Sequence, residues 1–138
     1  MLILLILFGS SFQTSIFRYS ISVKINRIHS NKGTIIINLY NSSAGFPSDR
    51  SRAFQSIKVP AKTPSTESVF YDIASGTYAI SVLHDENNNG EMNKNFFGVP
   101  QEGYCVSNNA KGVMSAPSFK NATFDLKSNV TQSLNMIY

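Results

Sequence analysis

The sequence contains few of the residues that build many small binding or catalytic sites: it has one cysteine, two histidines, no tryptophan and 14% charged residues. The single cysteine, Cys105, excludes a disulfide within the chain and a cysteine-based zinc cluster. Its neighbours Tyr104 and Val106 predict a half-buried thiol. His84 has no second histidine at the spacing of a zinc motif, and no Ser-His-Asp pattern or glycine-rich phosphate loop is readable. Zinc and a recognisable catalytic constellation are therefore not expected.

The charge pattern gives no sign of a nucleic-acid partner. Twelve Lys and Arg against eight Asp and Glu leave a formal charge of +4, but the basic residues are scattered from Arg18 to Lys127. Nucleic-acid-binding surfaces usually show blocks or stripes of basic side chains, which are missing here. The 138 residues are enough for one domain with its own hydrophobic core.

The first residues, Met1 to Phe8, form an apolar run that is followed by Gly9, Ser10 and Ser11. The run is too short to span a bilayer, and it resembles the apolar part of a signal peptide, although no basic residue precedes it. We predict a signal peptide, or alternatively a hydrophobic N-terminal segment, in residues 1–15 and a single domain in residues 16–138. The mature chain should have no transmembrane span and be secreted or periplasmic, although a free cysteine weighs against an oxidising compartment.

Apolar and polar residues alternate along much of the remaining chain, as in Ile21, Val23 and Ile25 of the first such segment. This period of two is typical of strands with one buried face, and no segment of ten residues shows a helical stripe. The predicted fold is all-β, an antiparallel β-sandwich of about seven strands with one long ordered loop. Segments 69–83 and 122–137 are predicted to be hairpins. The predicted strands cover residues 19–28, 34–40, 53–59, 69–73, 77–83, 122–126 and 130–137.

The segment between Leu83 and Phe119 is predicted to be the long loop, of about 35 residues, whereas most loops are shorter than ~15 residues. Its aromatic residues Phe96, Phe97 and Tyr104 argue against disorder, because solvated linkers contain few aromatics. We expect either a bound cation or packing of these aromatics on the sandwich to order the loop.

Oxygen-bearing side chains occupy alternate positions at the start of this loop, with Gly90 where a calcium loop turns most sharply. Phe96 stands where an EF-hand has its bidentate glutamate, and no helices flank the segment, so an EF-hand is excluded. Glu86, Glu91 or Glu102 could complete the shell. With so few charges, a calcium site would have a Kd on the order of 10⁻⁴ to 10⁻³ M. The alternative is a polar turn without metal. The predicted ligands are Asp85, Asn87, Asn89, Glu91 and Asn93.

Seven short segments carry recognisable motifs: Ser75–Asp85, Asn87–Gly90, Phe97–Pro100, Glu102–Tyr104, Ser107–Ala110, Ala116–Phe119 and Ala122–Phe124. Together they resemble a bacterial family of unknown function, whose pattern is close to HDxNxNG…GxPxEGYGFSNNA. The resemblance spans Ile21 to Ile137 and implies a secreted or periplasmic protein with a prealbumin-like (transthyretin-like, Ig-class) sandwich and no established activity. Asn93 stands where the pattern has aspartate, which should weaken a cation site, and Cys105 stands where it has glycine.

Three functional hypotheses follow. The first is a non-catalytic extracytoplasmic domain whose loop is organised by weakly bound calcium and binds a cell-envelope, glycan or protein partner. The second is a metal-free envelope or adhesion module whose loop is held by its aromatics. The third is an enzyme acting on a small molecule or glycan through the region of His84, Asp85 and Glu102, which requires these groups to converge. The predicted binding-loop residues are His84, Gly90, Phe97, Pro100, Glu102, Tyr104, Asn108 and Asn109.

Overall fold

The computed structural model describes residues 9–138, which form an all-β domain with little helix, as predicted. Eight strands are present, and the only α-helix in these residues, α1, spans Phe119–Ala122. The strands are β1 (Arg18–Asn26), β2 (Thr34–Tyr40), β3 (Gln55–Pro60), β4 (Thr66–Ala74), β5 (Gly76–Asp85), β6 (Tyr104–Val106), β7 (Phe124–Leu126) and β8 (Val130–Asn135).

The strands form two sheets that enclose the core. The first sheet has the order β4-β1-β8, and the second has the order β3-β2-β5-β6, with β7 pairing to another part of β5. All pairs are antiparallel except β1 and β8, which run parallel with Ile21 opposite Val130. The predicted antiparallel sandwich is therefore correct apart from this one pair.

Both predicted hairpins are wrong. β4 and β5 follow one another across Ser75, yet β4 pairs with β1 in the first sheet and β5 pairs with β2 in the second. Likewise, β7 pairs with β5 whereas β8 pairs with β1. Each predicted hairpin is instead a crossing between sheets. A short polar turn between two alternating segments suits either arrangement, and the packing of the two inner faces decides which forms.

The core contains the alternate residues that the sequence predicted for β1. Ile21, Val23 and Ile25 are fully buried and pack with side chains from the other strands, including Phe70 and Leu134. Complete burial of such a side chain contributes about 1.5–3 kcal/mol. Other core members are Ile35, Ile37, Leu39, Ile73, Ile80, Val82, Cys105 and Leu126.

The outer face of the second sheet is also covered. Alternate residues of a strand point to opposite faces, so Ile36, Asn38 and Tyr40 of β2 point away from the core, yet all three are buried. The Tyr40 hydroxyl donates to the backbone of the segment 41–52, with Oη 3.1 Å from the Asp49 oxygen. Burial is the main reason why the pKa of Tyr40 is raised. This covering segment is the first wall of the candidate site.

The N-terminal prediction is only partly within the described residues. Residues 9–17 are exposed and form no strand or helix, whereas the apolar part of the predicted signal peptide, residues 1–8, lies outside the described region. In the part of the chain that the structure covers, no helix is long and apolar enough to cross a membrane.

Candidate functional site

The predicted long loop consists of two loops separated by an ordered segment. We call residues 86–103 loop A and residues 110–118 loop B. Between them, β6 adds to the edge of β5, and a 3-10 turn, Ser107–Asn109, follows. The prediction of one 35-residue loop is therefore wrong, because the short strand β6 was too brief to show a period of two.

Asp85 anchors the first turn of loop A. Its side chain is almost completely buried at the end of β5. One carboxylate oxygen accepts the backbone N–H of Asn89 at 3.2 Å, and the other accepts that of Gly90 at 2.7 Å. Gly90 has a φ of 80°, a conformation that glycine adopts without steric cost. Asp85 therefore fixes the turn at which the sequence predicted the sharpest bend.

The predicted asparagine ligands bind the loop's own backbone and each other. The Asn87 Oδ1 accepts from the Asn89 N–H at 3.2 Å, and the Asn89 Oδ1 accepts from the Glu91 N–H at 3.0 Å. The Asn89 amide nitrogen also donates to the Asn93 Oδ1 at 2.6 Å. Glu91 itself is exposed. Because a carbonyl or carboxylate oxygen has two lone pairs, these contacts leave acceptor capacity for a cation.

Glu102 fastens loop A at two points. One carboxylate oxygen accepts the Glu86 N–H at 2.7 Å, and the other accepts the Asn93 N–H at 3.0 Å. The side chain is buried. Glu102 therefore joins the end of loop A to its beginning, a role that the sequence could not indicate because the bonded residues are 16 and 9 positions away.

The tip of loop A is a small hairpin that presents Phe96 and Phe97 to solvent. The Asn95 Oδ1 accepts the N–H groups of Phe97 and Val99 at 2.9 and 3.0 Å, and an isolated bridge joins Lys94 to Pro100. Phe96 and Phe97 are 97% and 85% exposed. The expectation that these two aromatics order the loop by packing on the sandwich is wrong, since backbone and asparagine hydrogen bonds hold the tip.

His84 is not a loop residue. It is fully buried in β5, with Nε2 2.7 Å from the Lys32 carbonyl oxygen and Nδ1 2.8 Å from the Tyr138 hydroxyl. Because alternate side chains of a strand point to opposite faces, His84 and Asp85 point in opposite directions. The structure therefore separates His84 from the side of β5 that carries Asp85.

Asn108 and Asn109 are exposed, and their side chains also hydrogen-bond to neighbouring elements of the scaffold. Asn108 has a φ of 61°, and its amide donates to the Thr123 carbonyl at 2.8 Å, next to the end of α1. Asn109 exchanges hydrogen bonds with β8, accepting from Asn135 N–H and donating to the Ser133 carbonyl. The two asparagines therefore help to join α1, β6 and β8.

A cavity of about 1000 Å³ lies between the second sheet and its covering loops. The sheet supplies Ile36, Asn38, Ser81 and Leu83. The walls are formed by loop A, loop B and the segment 47–51. Tyr104 of β6 also lines the cavity. The wall residues include Gly90, Glu91, Lys94, Phe97, Pro100, Met114 and Arg50.

One local pattern in the sequence points to a covered outer face on the second sheet, although the predictions did not use it. The β2 segment is apolar at consecutive positions, Ile35 to Ile37, and a strand covered on both faces shows such a run. Leu83, at the end of the apolar β5, belongs to the same covered face. No local pattern predicted that Arg50 lines the cavity, because its position depends on how the segment 41–52 folds over the sheet.

A comparison with protein families found a match over most of the chain. The family model described as an uncharacterized protein conserved in bacteria, DUF2141, matches residues 23–133. No curated protein and no solved structure shows significant similarity to the chain. The resemblance to a bacterial family of unknown function is thus confirmed, and the chain belongs to the DUF2141 family.

Proposed function

We propose that this domain is a non-catalytic binding module whose ligand occupies the cavity between the second sheet and loops A and B. The cavity of about 1000 Å³ is the observation that supports this function. Binding sites are typically concave and mainly apolar, with a few polar groups that orient the ligand. Here Ile36, Leu83 and Met114 are apolar members of the lining, while Asn38 and Ser81 are polar.

Arg50 indicates the chemistry of the ligand. It lines the cavity, and its Nη1 is buried without a hydrogen-bond partner among the described residues. A buried donor without a partner costs about 1–3 kcal/mol. An anionic group bound beside Arg50 would supply that partner, so the proposed ligand is an amphiphile with an apolar part and an anionic group.

The same proposal includes a weak calcium ion in the turn held by Asp85. The alternating oxygens of Asp85, Asn87 and Asn89 support it, because hard cations are bound by such oxygens. The alternative is a metal-free loop, supported by the hydrogen bonds that Asp85 and Glu102 already make to the backbone. In either form the loop would present a stable wall to the ligand.

We place this function outside the cytoplasm, in the cell envelope or beyond it. The apolar run of residues 1–8 with the small residues that follow it supports this location. A glycan or protein partner from the envelope could also contact the exposed Phe96 and Phe97 at the tip of loop A, because exposed aromatics are common at interfaces.

Catalysis by His84, Asp85 and Glu102 receives less support. His84 bonds to Lys32 and Tyr138, whereas Asp85 and Glu102 bond to the backbone of loop A. Catalysis by a general acid or base requires the groups to lie within hydrogen-bond reach of one reacting centre. The opposite directions of His84 and Asp85 argue against such a centre.

Binding of two fluorescent dyes to the full chain tests the proposal. Anilinonaphthalene sulfonate carries an anionic group, and Nile red is neutral and apolar. Both should bind saturably, and Leu83→Glu should weaken both at least tenfold, about 1.4 kcal/mol, because a negative charge would enter the apolar sheet face. Arg50→Met should weaken the anionic dye more than the neutral one.

Two variants serve as controls. Arg52→Met removes an exposed arginine from the same turn as Arg50, and Tyr71→Glu adds a charge on the exposed side of β4 in the other sheet. Both should bind the dyes like the wild type, with unchanged unfolding temperatures. Absence of saturable binding, or equal losses in the controls, would refute the cavity as the binding site.

A further inference from the structure

Three ligand-bearing side chains from distant parts of the sequence meet beside the C-terminal residue of this chain. His29 lies in the turn after β1, His84 near the end of β5, and Glu86 at the start of loop A. One potential ligand atom from each lies within 4.8 Å of the other two. None of the three residues lines the cavity. This cluster therefore lies outside the cavity to which the proposed function assigns the ligand.

The hydrogen bonds of His84 determine which of its nitrogens is free. A carbonyl oxygen only accepts hydrogen bonds, so the contact of Nε2 with the Lys32 oxygen, at 2.7 Å, places the proton of neutral His84 on Nε2. The lone pair is then on Nδ1, which lies 3.8 Å from the Glu86 Oε1. A ring N–H donated to a backbone carbonyl is the usual support of a metal-binding histidine, because it fixes the tautomer and the ring orientation.

His29 is held on the other side of Glu86. Its ring stacks on Tyr138, with centroids 3.5 Å apart and an interplanar angle of 15°. Its Nε2 lies 2.5 Å from the Glu86 Oε1, the same oxygen that faces His84. The side chains of His29 and Glu86 are 50% and 31% exposed, so an ion from solution can reach them and they can adjust around it.

We propose that His84 Nδ1, His29 Nε2 and a Glu86 carboxylate oxygen bind a divalent transition metal, with Zn²⁺ as the best match. Two imidazoles and one carboxylate form a known set of three zinc ligands, with a fourth position for water or another group. At zinc–ligand distances of about 2.0–2.1 Å, neighbouring ligands of a tetrahedral site lie about 3.4 Å apart. The His84 Nδ1 and Glu86 Oε1 atoms, 3.8 Å apart, are already close to this spacing. The His29 Nε2 and Glu86 Oε1 atoms, 2.5 Å apart, would move away from each other to admit the ion.

Tyr138 is placed to complete or to support the site. Its hydroxyl lies 2.8 Å from the His84 Nδ1 and its ring stacks on His29. On metal binding, the hydroxyl would give up its contact with Nδ1, since the ion takes that lone pair. The tyrosine ring would continue to hold His29 in position.

Zinc titration of tag-free full-length protein by isothermal calorimetry tests this inference, because a polyhistidine tag would itself bind zinc. One equivalent of Zn²⁺ should bind saturably, and Co²⁺ at the same site should show the visible absorption of a tetrahedral complex. His29→Phe retains a ring to stack on Tyr138 but removes the ligand nitrogen. It and Glu86→Gln should each weaken zinc binding at least tenfold.

Glu91→Gln is the matched control, since it removes a carboxylate from the predicted calcium turn of the same loop. It should leave zinc affinity unchanged. The inference fails if zinc does not bind saturably at one equivalent, or if His29→Phe and Glu86→Gln bind it as tightly as the wild type. It also fails if Glu91→Gln weakens binding as much as they do, because the ion would then lie in loop A.

Discussion

The hydroxyl of Ser107 takes the place of a missing strand residue opposite Ile80. Strand β7 pairs with residues 76–78 of β5, and β6 pairs with residues 81–83, so Ala79 and Ile80 lie between the two pairings. The Ser107 Oγ accepts the Ile80 N–H at 2.9 Å and donates to the Ala122 carbonyl at the end of α1. One fully buried hydroxyl thereby connects β5, α1 and the turn after β6.

Replacing this hydroxyl should destabilise the domain measurably. Ser107→Ala would leave the Ile80 N–H and the Ala122 carbonyl without a partner, at a cost of about 1–3 kcal/mol in the free energy of unfolding. Urea-induced unfolding followed by circular dichroism measures the change. Ser128→Ala, in an exposed turn, should cost less than ~0.5 kcal/mol. Similar losses in both variants would contradict the bridging role of Ser107.

Substitution of Glu102 should loosen loop A without unfolding the sandwich. Glu102→Gln keeps the size of the side chain but replaces one carboxylate oxygen with an NH₂ group, which only donates. The variant therefore loses one of the two hydrogen bonds, either from the Glu86 N–H or from the Asn93 N–H. We expect faster hydrogen exchange of the loop A amides, with unchanged protection of the core strands.

Glu67→Gln is the control for this prediction, because Glu67 is exposed on β4, in the other sheet. Exchange in loop A should be the same in this variant as in the wild type. Unchanged exchange in Glu102→Gln would show that the two hydrogen bonds do not hold the loop.

Calcium should stabilise the folded domain if the turn held by Asp85 binds the ion. At a calcium concentration a hundredfold above Kd, binding to the folded state alone adds about 2.7 kcal/mol, which raises the Tm. Thermal unfolding in 10 mM calcium, in 10 mM magnesium and in chelator measures the effect. Asp85→Ala should abolish the calcium-dependent rise, whereas Glu67→Gln should retain it. A Tm that is equal in calcium and chelator would favour the metal-free loop.

Cys105 should be inert toward thiol reagents while the protein is folded. The thiol is buried in the core, not half-buried as predicted, and burial raises its pKa well above the ordinary value. Because the thiolate is the reactive form, dithionitrobenzoate should label native protein slowly and label one thiol rapidly in denaturant. In a Cys105→Ala background, Ser128→Cys should react rapidly in the folded state; comparably rapid labelling of native wild type would contradict the buried thiol.

The raised pKa of Cys105 also predicts a pH dependence. The folded state retains the thiol proton to higher pH than the unfolded chain, in which the pKa is about 8.5. Below that pH both states are protonated and stability is unaffected. As the pH rises above it, only the unfolded state loses the proton, so the free energy of unfolding should decrease. Urea unfolding from pH 7 to 10 should show a smaller decrease in Cys105→Ala.

Local pattern predicted much of the fold and part of the site. The alternation of Ile21, Val23 and Ile25 identified a strand and its buried face, because the direction of a side chain depends only on the strand's own backbone. The polar turn at Gly90 was also predicted from residues close to it, although the calcium ion it was expected to bind is still a prediction. Strand β6 was not predicted, because three residues carry almost no periodic signal.

Local sequence pattern was enough to predict most of the strands, which of their faces are apolar, and where glycine and asparagine allow turns. The assignment of β4 and β5 to different sheets, the contacts of Glu102 with loop A and the approach of His29 to Glu86 depend on the tertiary structure. The first set depends on interactions within a few residues. The second depends on contacts between residues up to 57 positions apart, and those form only when two packed faces bring the segments together.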